Sequence, residues 1–321
     1  MKVVIDFHIP FIADAIRNEW PGIDIFPLES EQINAEAVRN ADVLIVRTRT
    51  QVNEALLSGS SVRLVCTATI GFDHIDTAYC KAHGIRWTAC PGCNAQAVCN
   101  YVEEALDEWT NNQLPMPKAP TIGVVGVGHV GSLVAKMAAR RGLKVLLNDP
   151  PKNIGVSLDA SEGIEPFSGG AIADCDIITF HVPLDESTHH LCSESFLSRC
   201  KPNALIINAA RGGVVDEQAL LRSGHPYILD TWENEPHIHT EVLQHAYRAS
   251  MHIAGYSVEG KRNASQTCLD IIAQSFCLPP VTLPQMASHG DNASGWLERI
   301  TRQLKANPEA FEFLRKNYPL R

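Results

Sequence analysis

The chain has 321 residues, which is more than one domain usually needs and enough for two buried cores. Hydrophobic residues make up 45% of it and charged residues 20%, the ordinary balance of a globular protein. Its formal net charge of −9 excludes the overall basic character of a nucleic-acid-binding protein, although local cations and helix N-termini can still hold a small anion.

The first third of the chain alternates short apolar runs with helical patterns. Apolar runs predict strands over 2–6, 42–48 and 62–68. Amphipathic periodicity predicts helices over 10–20 and 72–84. Because strands that alternate with helices pair in parallel, this part of the sequence predicts a parallel sheet with crossover helices.

A long helix and a second alternating series follow. Residues 94–112 form an uninterrupted helical pattern with Asn94 as its N-cap, and a proline-rich stretch ends it. The elements after it are strands over 121–125, 144–148, 175–181, 204–209 and 227–230, a helix over 261–276, a break over 278–284 and a mostly helical end over 285–321. This order predicts a second α/β lobe and a short C-terminal tail.

The stretch "GVGHVG" gives the clearest local signal. Gly126, Gly128 and Gly131 fit G-x-G-x-x-G between an apolar strand and an apolar-periodic helix. In that context the glycines allow a tight turn, the approach of a pyrophosphate and close packing of helix on strand. Asp149 ends the next strand, where a carboxylate binds ribose hydroxyls and repels a 2′-phosphate, so NAD is predicted; Lys152 nearby leaves NADP open. The alternative is a glycine-rich turn without a ligand.

Polar side chains follow three later strands of the same lobe. Arg211 follows one strand, Asp230 and Glu235 follow the next, and His252 comes after them. Alone, the arginine suits a surface ion pair, the glutamate a turn and the histidine a buried core. Together they suit hydride transfer from a hydroxyl-bearing carbon next to a carboxylate. A histidine takes the hydroxyl proton, a carboxylate orients the ring, and a guanidinium binds the substrate carboxylate.

These motifs, "GVGHVG", "NAARGG", "DTWENEP" and "HIAGY", together resemble the D-isomer-specific 2-hydroxyacid dehydrogenases. The resemblance implies that Arg211, Glu235 and His252 are the catalytic trio. It also implies two doubly wound parallel-sheet lobes with the active site in the cleft, a flavodoxin-like catalytic lobe and an inserted Rossmann lobe. The expected boundaries are 1–93 with 258–280 for the catalytic lobe, 94–257 for the NAD-binding lobe, and 281–321 for a short C-terminal helical segment, a possible dimerisation element.

More particular stretches, such as "TATIGFDHID" and "HIAGYSVEGK", resemble one branch of that family, whose substrate is a phosphorylated hydroxyacid. This implies substrate contacts at Thr48, Thr69 and Tyr256, and a homodimer. The residues expected at NAD are Gly126, Gly128, His129, Val130, Gly131, Asp149, Val182, Ala209, Ala210, Arg211, Asp230 and Gly255. Val182 stands where that branch carries a hydroxyl-bearing residue.

A phosphorylated substrate carries about two extra negative charges, which a cation should meet. The basic candidates are Arg47, Arg49, Lys261, Arg262, Arg315 and Lys316, and the sequence does not choose among them. Two other functions stay open. One is the oxidation of another acid of the class, such as phosphoglycerate; the other is an NAD-sensing binding protein of the corepressor type.

Metal, membrane and redox signals are weak. The "CPGC" stretch lacks the second cysteine pair of a zinc site, and His181, His189 and His190 lack an accompanying carboxylate pattern, so no metal is predicted. Ten cysteines without a repeating spacing indicate free thiols. The first residues lack the long apolar core and small-residue cleavage site of a signal peptide, and no apolar run approaches 18 residues, so we expect a cytoplasmic protein without membrane contact.

Overall fold

The computed structural model describes residues 1–112, 119–152, 164–166, 172–285 and 295–319. Contacts divide the chain into two units. Unit 1 comprises Met1–Asn94 and Tyr256–His289, and unit 2 comprises Ala95–Gly255 and Gly290–Arg321. Each unit has its own parallel sheet, which confirms the predicted α/β class with two parallel-sheet lobes. Within the described ranges no helix is long and apolar enough to cross a membrane.

Unit 1 contains a five-stranded sheet with helices on both faces. Its elements are β1 (Lys2–Asp6), α1 (Ile12–Glu19), β2 (Asp24–Leu28), α2 (Ala35–Val38), β3 (Val43–Val46), α3 (Glu54–Leu57), β4 (Leu64–Thr67), α4 (Thr77–Ala82), β5 (Arg86–Thr88) and the later helix α10 (Val258–Phe276). The strands pair in parallel in the order β2-β1-β3-β4-β5, the flavodoxin-like order. The carboxyl ends of β1, β3 and β4 therefore lie side by side.

The core of unit 1 lies on both faces of this sheet, because successive strand residues point to opposite faces. Val3 and Ile5 of β1 pack in one cluster with Leu269 of α10, whereas Val4 packs in the other cluster with Leu56 of α3. Helix α10 is thereby fixed on the sheet, with its first turn beginning at the N-cap Ser257, whose hydroxyl accepts the Gly260 N–H.

Unit 2 contains a seven-stranded sheet. Its strands are β6 (Thr121–Val125), β7 (Lys144–Asn148), β8 (Ile164–Pro166), β9 (Ile177–Phe180), β10 (Leu205–Asn208), β11 (Tyr227–Leu229) and β12 (Arg248–Ala249). Its helices are α5 (Ala95–Asn112), α6 (His129–Arg140), α7 (Glu194–Leu197), α8 (Glu217–Ser223), α9 (Thr240–His245), α11 (Trp296–Ala306) and α12 (Phe311–Lys316). The strand order is β12-β11-β10-β9-β6-β7-β8 with every pair parallel, as in a Rossmann fold with one added strand. The order reverses between β6 and β9, which is where such sheets bind nucleotides.

The described C-terminal residues contribute to both units. Val281 belongs to the core of unit 1. In unit 2, the Thr301 hydroxyl accepts the Ala249 N–H at 2.9 Å and donates to the Ala249 carbonyl at 3.0 Å, which ties α11 to β12. Leu304 and Phe311 are fully buried, so these helices complete the core of unit 2.

Candidate functional site

The glycine-rich turn of unit 2 links β6 to α6. Gly126 has φ +87°, and a Cβ there would lie 2.7 Å from the His181 backbone. A Cβ on Gly131 would lie 1.9 Å from the Gly126 carbonyl oxygen, so only glycine permits this approach of helix to turn. A Cβ on Gly128 would meet nothing within 4 Å. The turn is thus closed towards the protein at two glycines and open at the third, as a site for a pyrophosphate requires.

Asp149 follows β7 and faces the same turn. Its Oδ2 accepts the Val127 N–H at 2.9 Å and lies 3.5 Å from the Lys152 ammonium. Lys152 in turn donates to the Val127 carbonyl at 2.7 Å. The carboxylate is therefore held beside the start of α6, where His129 and Val130 form the first turn. This placement fits a group that accepts hydrogen bonds from ribose hydroxyls.

The chain after β9 forms the other wall of the turn. Val182 contacts the Gly126 position, since its Cγ1 would lie 2.7 Å from a Cβ there. His181 hydrogen-bonds the Thr179 hydroxyl through Nε2 at 3.0 Å, and burial lowers the pKa of its imidazole to about 3. His181 is therefore a neutral histidine of the fold at physiological pH.

The loop after β10 is shaped by one asparagine. The Asn208 side chain accepts the Ala210 N–H at 3.1 Å and donates to the Arg211 carbonyl at 2.8 Å, which closes the turn that contains Ala209. A Cβ on Gly212 would lie 2.0 Å from the Trp232 backbone, so the Arg211 loop packs tightly against the loop after β11. Arg211 is thereby placed beside the segment that carries Glu235.

Asp230, at the end of β11, is 1% exposed and binds the segment that carries His252. Its carboxylate accepts the N–H groups of Ile253 at 2.8 Å and Ala254 at 2.9 Å, and the Ser250 hydroxyl at 2.6 Å. Asp230, which the sequence predicts to lie at NAD, thus also holds the backbone from His252 towards Gly255.

Glu235 and His252 form a hydrogen-bonded couple. Nδ1 of His252 lies 2.8 Å from Oε2 of Glu235, and Oε1 of that glutamate accepts the Trp232 N–H at 2.9 Å. Burial alone would raise the pKa of Glu235, but the hydrogen bond and charge of His252, the Trp232 N–H and the charge of Arg315 outweigh it and lower that pKa. Glu235 is therefore ionised at neutral pH, and its hydrogen bond with Nδ1 fixes the imidazole ring. Within the described ranges, Nε2 of His252 has no hydrogen-bond partner.

The sequence did not place two further groups around this couple, although it named Arg315 as a basic candidate. Arg315 of α12 lies 3.9 Å from Oε2 of Glu235, and Glu217 of α8 accepts the Glu233 N–H at 2.7 Å. Neither carries a motif: each is far from its partner along the chain, and only the packing of α12 and α8 brings it there. A tertiary contact of this kind leaves no periodic or spacing signal in one sequence.

The predicted substrate contacts lie in unit 1. Thr48 is exposed just after β3, and Thr69 follows the neighbouring strand β4. The Thr69 hydroxyl is 2.6 Å from the Thr67 hydroxyl and donates to the Gly71 carbonyl at 2.9 Å. Tyr256 begins the returning part of unit 1, immediately before the N-cap of α10.

Glu233 lies beside His189 and His190, for which the sequence had shown no accompanying carboxylate. The rings of His189 and His190 stack with centroids 4.0 Å apart, and Nε2 of His190 is 2.5 Å from Oε1 of Glu233. Ligand atoms of the three residues lie within 4.8 Å of one another. The contact is a hydrogen bond between a histidine and a carboxylate, and the three side chains offer ligand atoms of the kinds that bind zinc.

Comparison with known proteins agrees with this geometry. The sequence model described as "D-isomer specific 2-hydroxyacid dehydrogenase, NAD binding domain" matches residues 98–254. The erythronate-4-phosphate dehydrogenase of Bacteroides thetaiotaomicron is 39% identical over an alignment that covers 100% of this chain and 97% of that protein. The enzyme of the same name from Porphyromonas gingivalis is 38% identical, with 99% and 92% covered.

Solved structures share the fold at lower identity. The NAD-bound 3-phosphoglycerate dehydrogenase of Entamoeba histolytica has a TM-score of 0.71 and 22% identity, covering 89% of this chain and 99% of that one. A D-lactate dehydrogenase from Aquifex aeolicus, complexed with NAD and lactic acid, has a TM-score of 0.67 and 24% identity, covering 86% and 95%. These similarities establish the fold, and the longer sequence matches establish the family.

Proposed function

The chain belongs to the erythronate-4-phosphate dehydrogenases, within the D-isomer specific 2-hydroxyacid dehydrogenase family, and from that premise we propose that it oxidises 4-phospho-D-erythronate at C2. The products are 2-oxo-3-hydroxy-4-phosphobutanoate, NADH and a proton. The observation that carries this proposal is the His252–Glu235 couple at the end of the NAD-binding sheet, held at 2.8 Å with Nε2 left for a substrate.

In this reaction His252 is the general base. Nε2 accepts the C2 hydroxyl proton, while Glu235 at Nδ1 stabilises the protonated ring that results. NAD, when bound, supplies the acceptor for the C2 hydride. Arg211 binds the substrate carboxylate and polarises the forming C2 carbonyl, a task for which a planar guanidinium is suited. His252 pairs with Glu235 beside the Arg211 loop and, unlike His190, whose Nε2 lies on Glu233, keeps its Nε2 for the substrate.

The other predicted residues divide between cofactor and substrate. The glycine-rich turn, the first turn of α6 and Asp149 bind the adenosine and pyrophosphate of NAD, and Val182, Ala209, Ala210, Asp230 and Gly255 line the rest of its site. Asp149 disfavours a 2′-phosphate and so selects NAD. Thr48, Thr69 and Tyr256 contact the substrate from unit 1.

The proposal extends to the cellular setting. All ten cysteines are free thiols, which suits the reducing cytoplasm. We infer that the reaction belongs to the biosynthesis of pyridoxal phosphate, because the resemblance to erythronate-4-phosphate dehydrogenases implies that pathway as well as the substrate. A homodimer is expected on the same ground, and light scattering of the purified protein tests it.

A substrate panel tests the proposed reaction. NADH absorbance is followed with 4-phospho-D-erythronate, D-erythronate, 3-phospho-D-glycerate and D-lactate, each with NAD and with NADP. We expect the highest kcat/KM for phosphoerythronate with NAD, and a loss of about 10²–10⁴ in rate for His252→Asn. Faster oxidation of phosphoglycerate would reassign the substrate. No oxidation of any acid, with NAD still bound, would favour the NAD-sensing alternative.

A further inference from the structure

Lys261 lies in the first turn of α10, five residues after Tyr256, and has no acidic partner among the residues that the structure describes. Its ammonium lies 5.9 Å from the centre of the Tyr256 ring. Although the side chain as a whole is exposed, partial burial of the ammonium, followed by the positive charge of Arg47, lowers the pKa of Lys261.

Arg47 is held in place but only partly paired. Its Nη2 lies 3.0 Å from Oδ1 of Asp6, which is fully buried at the end of β1, and 3.5 Å from the Ser30 hydroxyl. Its Nε is buried without a hydrogen-bond partner in the described part of the chain. Asp6 therefore orients the guanidinium and compensates one charge. The Cys90 thiol lies 3.3 Å from the carbonyl oxygens of both Thr67, the last residue of β4, and Ala264, one turn after Lys261, so the start of α10 lies at the strand ends where Arg47 follows β3.

The other basic candidates are engaged elsewhere or lie in other surroundings. Arg262 donates to the carbonyls of Leu283 at 2.5 Å and Pro284 at 2.9 Å, so it anchors the chain after α10. Arg315 is in unit 2, 3.9 Å from Glu235 and 3.8 Å from Glu312. Lys261 and Arg47 therefore remain in unit 1, the lysine beside Tyr256 and the arginine, like the neighbouring Arg49, just after β3.

We propose that Lys261 and Arg47 form the subsite for the terminal phosphate of the substrate, and that Lys261 sets the preference for a phosphorylated hydroxyacid. This inference rests on the proposed function. A phosphate monoester carries about −1.5 to −2 charges at pH 7 and offers three acceptor oxygens. One such group satisfies both cations: it pairs with the flexible ammonium of Lys261 and with the guanidinium that Asp6 orients. Thr48 follows Arg47 after β3, and Tyr256 precedes the helix that carries Lys261. Unit 1 therefore carries both the proposed phosphate subsite and the residues predicted to contact the rest of the substrate.

The test is Lys261→Met, which keeps the apolar stem and removes the charge. Lys81→Met, on the exposed last turn of α4 in the same unit, is the matched control. KM and kcat are measured for phosphoerythronate and for D-erythronate. We expect the KM for phosphoerythronate to rise about ten- to a hundredfold in Lys261→Met, the effect of losing one charged hydrogen bond. The KM and kcat of Lys261→Met for D-erythronate should change little. Lys81→Met should keep the kinetic constants of the parent chain for both substrates, and Lys261→Arg should recover most of the affinity for phosphoerythronate.

Phosphate binding gives a second measurement that needs no turnover. Titration calorimetry with inorganic phosphate, at saturating NAD, should show binding to the parent chain and to Lys81→Met and weaker binding to Lys261→Met. If the parent chain does not oxidise phosphoerythronate, the proposed function fails, and this titration still decides the subsite. Equal losses on both substrates, an unchanged KM for phosphoerythronate, or phosphate binding that is absent from the parent chain or unaffected by Lys261→Met would overturn the subsite.

Discussion

Glu235, on the loop after β11, and Glu217, at the start of α8, differ in charge because they differ in partners. Glu235 has His252, Arg315 and a backbone N–H around it, and these lower its pKa against the effect of burial. Glu217 is 1% exposed; one of its oxygens accepts the Glu233 N–H, and the other has no hydrogen-bond partner among the residues that the structure describes. Burial therefore raises the pKa of Glu217 to about 8, opposed by that N–H and assisted by the charges of Glu233 and Glu235.

A neutral Glu217 makes stability depend on pH. Below the ordinary carboxyl pKa of 4.5, folded and unfolded chains both hold the proton. As pH rises, the unfolded chain ionises first while the folded chain keeps its proton up to about pH 8. The free energy of unfolding therefore falls across this window. Glu217→Gln stays neutral in both states and can still accept the Glu233 N–H, so it should gain stability relative to the parent chain as pH rises.

Urea unfolding of both chains at about pH 5 and about pH 8.5 measures this difference. The amide introduces a fixed cost from its buried NH₂, which cancels when the two pH values are compared. Glu186→Gln, at an exposed position, is the control and should show no such trend. A difference between Glu217→Gln and the parent chain that is the same at both pH values would mean that Glu217 is ionised in the folded state.

At the scale of elements, the sequence predicted what depends on local pattern. The strand predicted over 121–125 is β6 (Thr121–Val125), and the helix predicted over 94–112 is α5 (Ala95–Asn112). Both are bounded by cues that act within a few residues, namely a buried apolar run and a cap followed by prolines. The glycine-rich turn was predictable for the same reason, since strand, glycines and helix are contiguous.

What the sequence did not predict depends on contacts between distant segments. The helix predicted over 261–276 begins earlier, at Val258, because the Ser257 hydroxyl caps it. Segment 281–321 is split between the cores of the two units, which no composition shift marks. The choice of Lys261 among six basic residues likewise needed the fold, which brings the start of α10 to the strand ends where Arg47, some two hundred residues earlier in the chain, follows β3.

The glycine-rich turn yields a prediction that separates fold from ligand binding. Gly131→Ala places a Cβ 1.9 Å from the Gly126 carbonyl oxygen, so α6 must shift, and we expect a lower Tm and loss of NAD binding. Gly128→Ala meets nothing within 4 Å, so the Tm should stay near that of the parent chain while NAD binds more weakly, because the methyl group occupies the space for the pyrophosphate. Thermal unfolding and NAD titration measure the two effects. Tight NAD binding by Gly128→Ala would place the pyrophosphate elsewhere.

At the scale of the whole molecule, the two units have separate sheets, and their predicted ligands are separate too. The residues predicted at NAD lie in unit 2, from Gly126 to Gly255, whereas the phosphate subsite lies in unit 1. A ligand stabilises only the conformations that bind it, by about 2.7 kcal/mol at a concentration one hundred times its Kd. NAD alone should therefore protect unit 2 selectively, and a phosphate ligand should act on unit 1.

Amide hydrogen exchange tests this selectivity on the intact chain. With NAD at about one hundred times its Kd, exchange should slow in β6, α6 and the loops after β10 and β12, while β1, β3 and the first turn of α10 keep the rates of the free chain. Inorganic phosphate added to the NAD complex should then slow exchange in that first turn, and Lys261→Met should abolish the second effect but not the first. Protection of β1 and β3 by NAD alone would mean that the two sheets open together, in which case cofactor binding already orders the residues that receive the phosphate.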